Sequence, residues 1–114
     1  MKIWGKHVKY HLTLIICFVF LFASDKAFSG DIKAGEARYA QNCGNCHGPA
    51  GMGLASYPKI GGKEVPYLKS RLETYRSGKK IGPNSALMIM MASELTDVEI
   101  QNLAAYLASV QNNK

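Results

Sequence analysis

The sequence predicts an all-α fold built from about four short helices. Two stretches repeat apolar side chains at helical spacing, the first at Leu68, Leu72 and Tyr75 and the second at Ile100, Leu103, Ala104 and Leu107. Thr96 and Glu99 form a capping-box pattern directly before the second stretch, which is typical of a helix start. No pattern of strands alternating with helices is present, so the observations favour helices alone.

The first helix is predicted over residues 32–41, with Asp31 as its N-cap. Gly35 lies within it, although a glycine inside a helix costs about 1 kcal/mol relative to alanine. Close approach of another helix would explain this glycine. The small residues Ala104 and Ala105 of the last helix are the predicted neighbours.

Directly after this helix comes Cys43-Gly44-Asn45-Cys46-His47. Two cysteines separated by two residues and followed by histidine are typical of covalent c-type haem attachment, with the histidine as an axial ligand. A disulfide, a thioredoxin-like pair and half of a zinc site are the alternatives. Zinc needs about four ligands, whereas the cysteines and histidines of residues 30–114 are only Cys43, Cys46 and His47. The pattern therefore predicts one haem c, bound through Cys43 and Cys46.

Residues 48–62 contain five glycines and two prolines, which predicts an irregular loop folding around the porphyrin. Met52 lies only five residues after His47, too close to reach the opposite face of the macrocycle. The next helix is predicted to have Pro66 in its first turn and to run over residues 67–77, ending at Gly78.

Residues 81–95 contain three methionines, Met88, Met90 and Met91. Flexible filling of the core is one explanation for such a cluster. The other is a thioether ligand on the second axial position of the haem iron. His47 is the only histidine in residues 30–114, which excludes two histidine ligands from one mature chain. The spacing alone leaves all three methionines open as ligands.

The N-terminal residues 1–29 have the pattern of a signal peptide. Three lysines precede an uncharged apolar run over residues 12–23, which is too short for the ~20 residues of a membrane-spanning helix. Small residues before Gly30 make it the predicted first residue of the mature chain. The prediction is a periplasmic protein with one domain over residues 30–114 and no stable membrane anchor once the leader is cleaved; an uncleaved anchor is the alternative.

Residues 30–114 carry ten Lys and Arg against seven Asp and Glu, a net charge of +3. No basic stripe interleaved with aromatic residues accompanies this charge, so nucleic-acid binding is not predicted. Lys79 and Lys80 would suit docking of an acidic redox partner, or would simply form a solvated turn.

The sequence resembles the small bacterial class I cytochromes c, especially the monohaem c-553-like group and single domains of dihaem relatives. The resemblance covers about residues 31–111 and depends on the haem motif together with the segments at residues 57–62, 67–68, 75–78, 95–97 and 103–106. It implies an all-α cytochrome c fold around one covalent haem, in which the first and last helices cross near Gly35 and Tyr106.

The same resemblance implies roles for three further residues. The Pro58 carbonyl is expected to accept a hydrogen bond from the His47 imidazole, and Ile60 is expected to pack on the haem. Alignment through Thr96 and Asp97 places the family's axial methionine at Met88, with Met91 as the next candidate.

With histidine and methionine both bound, iron has no open position for a substrate. The predicted function is therefore a non-enzymatic one-electron carrier between respiratory redox proteins, acting as a monomer or in transient complexes. The alternative is a haem electron-transfer subunit of a dehydrogenase complex, for example with a flavoprotein. A five-coordinate haem that binds ligands or peroxide would require that no methionine is bound.

Overall fold

The computed structural model describes residues 29–110, and this part contains five α-helices and no β-strand. In chain order they are α1 (Ile32–Asn42), α2 (Gly44–His47), α3 (Val65–Arg76), α4 (Ser85–Ala92) and α5 (Asp97–Ser109), with one 3₁₀ turn at Pro49–Gly51. The predicted all-α class is confirmed. The one-turn helix α2 and the 3₁₀ turn are additional to the four longer helices that the sequence predicts.

Helices α1 and α5 cross at Gly35. A Cβ atom built on Gly35 would overlap the backbone carbonyl of Asn102 and would lie 2.8 Å from Tyr106 Cβ. Only glycine permits this approach, which accounts for a glycine inside α1. The neighbours predicted for Gly35 were wrong in detail. Asn102 and Tyr106 face Gly35, and Ala104 and Ala105 are not its nearest neighbours.

The core lies mainly along α5, which packs on both α1 and α3. Its buried apolar side chains are Tyr39, Leu68, Ala92, Leu95, Ile100, Leu103, Ala104 and Leu107. The capping box at the start of α5 is present, with Thr96 Oγ1 accepting from the Glu99 backbone N–H and Glu99 accepting from the Thr96 backbone N–H. The stripe predicted at 100, 103, 104 and 107 is the buried face of this helix.

Backbone hydrogen bonds fix the glycine-rich segment over residues 48–62, although it lacks regular structure beyond the 3₁₀ turn. The Gly51 carbonyl accepts from the N–H groups of Ile60 and Gly61, each at 2.8 Å, and the Gly62 N–H donates to Leu107 O at 2.8 Å. The first two bonds close the segment on itself, and the third joins its C-terminal end to α5.

The signal-peptide prediction for residues 1–29 lies almost entirely outside the described residues, as does the C-terminal part of the domain beyond residue 110. Over residues 29–110, no helix combines the length and the apolar character needed to cross a membrane.

Candidate functional site

The Cys-x-x-Cys-His motif continues the helical backbone of α1 for one more turn. The Cys43 N–H donates to Tyr39 O at 2.9 Å, and the His47 N–H donates to Cys43 O at 3.0 Å. Residues three and four apart share a face of a helix. Cys43, Cys46 and His47 therefore lie on one face, at positions i, i+3 and i+4. The turn ends at Gly48, whose φ of 74° is readily adopted only by glycine.

The His47 imidazole is buried and oriented by a hydrogen bond. Its side chain is only 7% exposed, and Nδ1–H donates to the Pro58 carbonyl oxygen at 2.9 Å. With the proton on Nδ1, Nε2 carries the lone pair of a neutral imidazole, the form that ligates metals. No described residue forms a hydrogen bond with Nε2. In the described part, every fully buried side-chain nitrogen or oxygen has a hydrogen-bond partner. Because Nε2 has none, it is not fully buried and is accessible to a ligand.

Tyr39 supports this turn from the core. Its side chain is 3% exposed, and its hydroxyl donates to the Gly48 carbonyl at 2.6 Å. Burial raises the pKa of Tyr39 to about 12, so the hydroxyl keeps its proton at neutral pH. A Cβ on Gly44 would lie 3.3 Å from the Tyr39 ring, which leaves little room for any side chain there. The Tyr57 ring meets His47 edge-on, with 6.2 Å between the ring centres.

Both motif cysteines are free thiols in the structure. Cys43 is half-buried and packs against the core. Because of this burial, the pKa of its thiol is raised. Because neither cysteine is in a disulfide, both sulfur atoms are available for thioether bonds to haem vinyl groups.

The three methionines of α4 differ in their exposure. Met88 is half-buried, Met91 is exposed, and Met90 is the most exposed of them at 58%. The buried residues of this helix are Ser85 and Ala92, which stand three residues before and four residues after Met88. Met88 therefore shares the inward face of the helix, and Met90 does not.

Ile60 is half-buried and packs against the core cluster. Its backbone N–H bonds to Gly51, as described above, so it is fixed two residues after Pro58. The structure thus places Pro58 and Ile60 on the same hydrogen-bonded segment, next to His47.

The donor set fits a covalent haem. Two free thiols share a helical face with an imidazole whose Nε2 is accessible. Large apolar side chains are exposed on the segment after the motif and on α4, namely Met52, Leu54, Tyr57, Leu87, Met90 and Met91. Exposed apolar surface of this kind marks a place where a ligand or partner is covered, and the porphyrin is a large apolar body.

Sequence reasoning missed three polar side chains that fix this part of the fold. They are Tyr39, with its bond to Gly48, Ser85, whose Oγ accepts from the N–H groups of Ile81 and Gly82, and Arg76, which donates to the Leu95 carbonyl. All these bonds reach backbone groups, which carry no residue-specific signal in a sequence.

Comparison with known proteins identifies the family. Residues 32–111 match the family model described as Cytochrome c. The chain is 44% identical over 82 residues to cytochrome c-554(548) of Halomonas halodenitrificans, covering 71% of this chain and 98% of that protein. It is 39% identical over 80 residues to the thiosulfate dehydrogenase electron acceptor of Stutzerimonas stutzeri, covering 69% of this chain and 37% of that protein.

A solved structure shows the same fold. Reduced recombinant cytochrome c4 from Pseudomonas stutzeri superposes with a TM-score of 0.63 and 27% identity, over 79% of this chain and 56% of that one. The resemblance seen in the sequence is thereby confirmed. The chain belongs to the cytochrome c family, whose cofactor is covalently bound haem c, and its relatives are electron carriers.

Proposed function

We propose that this protein is a periplasmic monohaem cytochrome c that carries single electrons between redox proteins. Cys43 and Cys46 would attach the haem covalently, and His47 and Met88 would bind its iron. Each cysteine would hold the haem by addition of its S–H across a vinyl group, with the sulfur bound to one vinyl carbon and the hydrogen on the other, so that no oxidant is required.

The hydrogen bond between His47 Nδ1 and the Pro58 carbonyl is the observation that carries this proposal. It fixes the orientation of the ring and places the proton on Nδ1, which leaves Nε2 on the side away from Pro58. The two thiols on the same helical face make the location specific for haem. A zinc site would need about four ligands there, and the described residues contain no group of three or more His, Cys, Asp or Glu arranged to hold a metal ion.

Met88 is the proposed second axial ligand because it alone of the three methionines combines partial burial with the inward face of α4. A half-buried thioether on the inward face needs little reorganisation to bind. Met90 and Met91 are both more exposed than Met88 and belong to the apolar surface assigned to the porphyrin.

The bound haem c supplies reversible one-electron exchange, and a thioether ligand raises its reduction potential. The protein contributes the fixed imidazole, the thioether and an apolar surrounding that excludes water from the iron. With both axial positions filled by side chains, no position remains for a substrate, which agrees with a carrier rather than an enzyme.

We further propose that the electron donor is a dehydrogenase. Support comes from the similarity to a protein named thiosulfate dehydrogenase electron acceptor. The second candidate function, a permanent electron-transfer subunit of a dehydrogenase complex, rests on the same similarity. Gel filtration of the protein from its native host separates them, because a subunit would co-elute with a dehydrogenase and a carrier would elute alone.

The axial assignment is tested with Met88→Ala, and with Met90→Ala and Met91→Ala as matched controls. We expect Met88→Ala to abolish the weak near-infrared sulfur-to-iron band of the ferric protein and to lower the reduction potential. Both control variants should keep the band. An unchanged band in Met88→Ala, or its loss only in Met91→Ala, would remove Met88 from the site.

A further inference from the structure

Few buried side chains hold the segment that carries Met88. Residues 77–95 form the segment that connects α3, whose last residue is Arg76, to the start of α5. Within this segment, the buried side chains are those of Ser85, Ala92 and Leu95. Apolar packing alone therefore fixes the segment less firmly than it fixes α5.

Arg76 joins the two ends of this segment. Its Nη1–H donates to the Leu95 carbonyl oxygen at 3.0 Å, across 19 positions of the sequence. Its Nη2 lies 2.7 Å from Asp97 Oδ1, at the first residue of α5. The Arg76 guanidinium thus connects the end of α3 to Leu95, the last residue of the segment, and to Asp97, the first residue of α5.

The guanidinium suits this task better than an ammonium would. It is planar and presents several N–H groups in a fixed fork, so it satisfies a carbonyl and a carboxylate at the same time. The Leu95 carbonyl contributes more than Asp97, because the carboxylate is 86% exposed and an exposed ion pair contributes little.

Ser85 fixes the other end of α4 independently. Its Oγ accepts from Ile81 N at 2.9 Å and from Gly82 N at 2.8 Å, which closes the turn before the helix. The start of α4 therefore does not depend on Arg76. Loss of the Arg76 bonds would free the C-terminal end of the helix and the connection to α5.

We propose that Arg76 is a positioning residue for the axial methionine. It closes the segment over residues 77–95 and thereby keeps the Met88 thioether in place against competing ligands. The inference depends on the proposed role of Met88, and it assigns to Arg76 no contact with the haem.

The test is displacement of the thioether by added imidazole in the ferric holoprotein, followed through the near-infrared band. We expect Arg76→Gln to need about tenfold less imidazole than the wild type, the effect of losing one charge-assisted hydrogen bond. Arg76→Lys should fall between the two. Asp97→Asn should change the imidazole requirement less than Arg76→Gln, because the Leu95 bond remains.

Arg38→Gln is the matched control. It breaks another arginine–carboxylate pair, Arg38 Nε to Glu99 Oε1 at 2.8 Å, which joins α1 to α5 outside the methionine segment. This variant should lower the thermal unfolding midpoint without changing the imidazole requirement.

Equal imidazole requirements in Arg76→Gln and Arg38→Gln would overturn the positioning role. The positioning role would also be overturned if the near-infrared band of Arg76→Gln were lost only at the global unfolding midpoint. Arg76 would then act on overall stability alone. If Arg76→Gln does not fold, Arg76→Lys and Asp97→Asn give the same comparison. A band that survives Met88→Ala would instead overturn the ligand assignment, so the two failures are distinguishable.

Discussion

The segment that carries His47 and the segment that carries Met88 differ in how the fold holds them. The turn of His47 continues α1, which packs closely on α5 where Gly35 meets Asn102 and Tyr106, and the Tyr39 hydroxyl bonds to the Gly48 carbonyl at the end of the turn. The turn of Met88 belongs to an eight-residue helix with two buried residues, closed at its ends by Ser85 and Arg76. Of the two proposed ligands, His47 is thus held by packing and Met88 mainly by polar bonds to the backbone.

This difference has a consequence for function. Displacing a ligand held by core packing requires disruption of the domain, whereas a ligand on a polar-bonded segment can leave while the rest stays folded. We therefore expect the iron to lose its methionine before it loses its histidine under any mild perturbation.

Gly35→Ala should have the largest effect and should act on the His47 side. The added Cβ would overlap the Asn102 carbonyl, so α1 and α5 must separate. We expect a loss of about 3 kcal/mol in the free energy of unfolding, at the upper end for overpacking. Denaturant titration of the holoprotein measures it, with Gly82→Ala as the control because a Cβ there meets nothing within 4 Å. Equal stability of the two variants would contradict the proposed crossing.

Tyr39→Phe should have a smaller effect on the same side. It removes the hydroxyl bond to Gly48 O but keeps the ring, and that carbonyl still accepts from the Gly51 N–H at 3.2 Å. We expect a loss of about 1 kcal/mol at neutral pH. Because burial raises the folded pKa from 10.0 to about 12, this stabilisation should be complete below pH 10 and lost as the pH rises through 12.

Tyr106→Phe is the control for Tyr39→Phe, measured at neutral pH. Its ring lies 5.5 Å from that of Tyr39, while its hydroxyl forms no hydrogen bond with any described residue. A loss of stability as large in Tyr106→Phe as in Tyr39→Phe would show that the bond to Gly48 is not what stabilises the turn.

The smallest expected effect is on the stability of the protein at acid pH, through Glu99 at the start of α5. The Thr96 backbone N–H bonds to the Glu99 carboxylate and, together with Arg38, lowers its pKa. A lowered folded pKa gives stabilisation that is present above the ordinary value of 4.5 and lost as the pH falls below it. Glu99→Gln keeps an acceptor for the capping box but no longer titrates.

We therefore expect the unfolding midpoint of the wild type to fall more steeply than that of Glu99→Gln as the pH drops below 4.5. Glu94→Gln serves as the control, since Glu94 is exposed and makes no ion pair with the described residues. Parallel pH profiles for the wild type and Glu99→Gln would rule out this contribution.

The sequence predicts one side of the site better than the other, for physical reasons. Side-chain spacing and caps are local, so the capping box at Thr96, the stripe of α5 and the helical class could be read directly. The bond from His47 to Pro58 came from family resemblance. Long-range bonds such as Arg76 to Leu95 end on a backbone carbonyl, which every residue has, so no sequence pattern marks them. Spacing alone left Met88, Met90 and Met91 open, and family resemblance favoured Met88; the lower exposure of Met88 on α4 agrees with that choice.

The account depends most on a single haem held covalently at Cys43 and Cys46. The most direct measurement is the intact mass, under denaturing conditions, of the protein purified from the periplasmic fraction. We expect the mass of residues 30–114 plus one haem, and a Cys43→Ser, Cys46→Ser double variant without the added mass. A wild-type mass equal to that of the polypeptide alone, with both thiols still open to alkylation, would contradict the account.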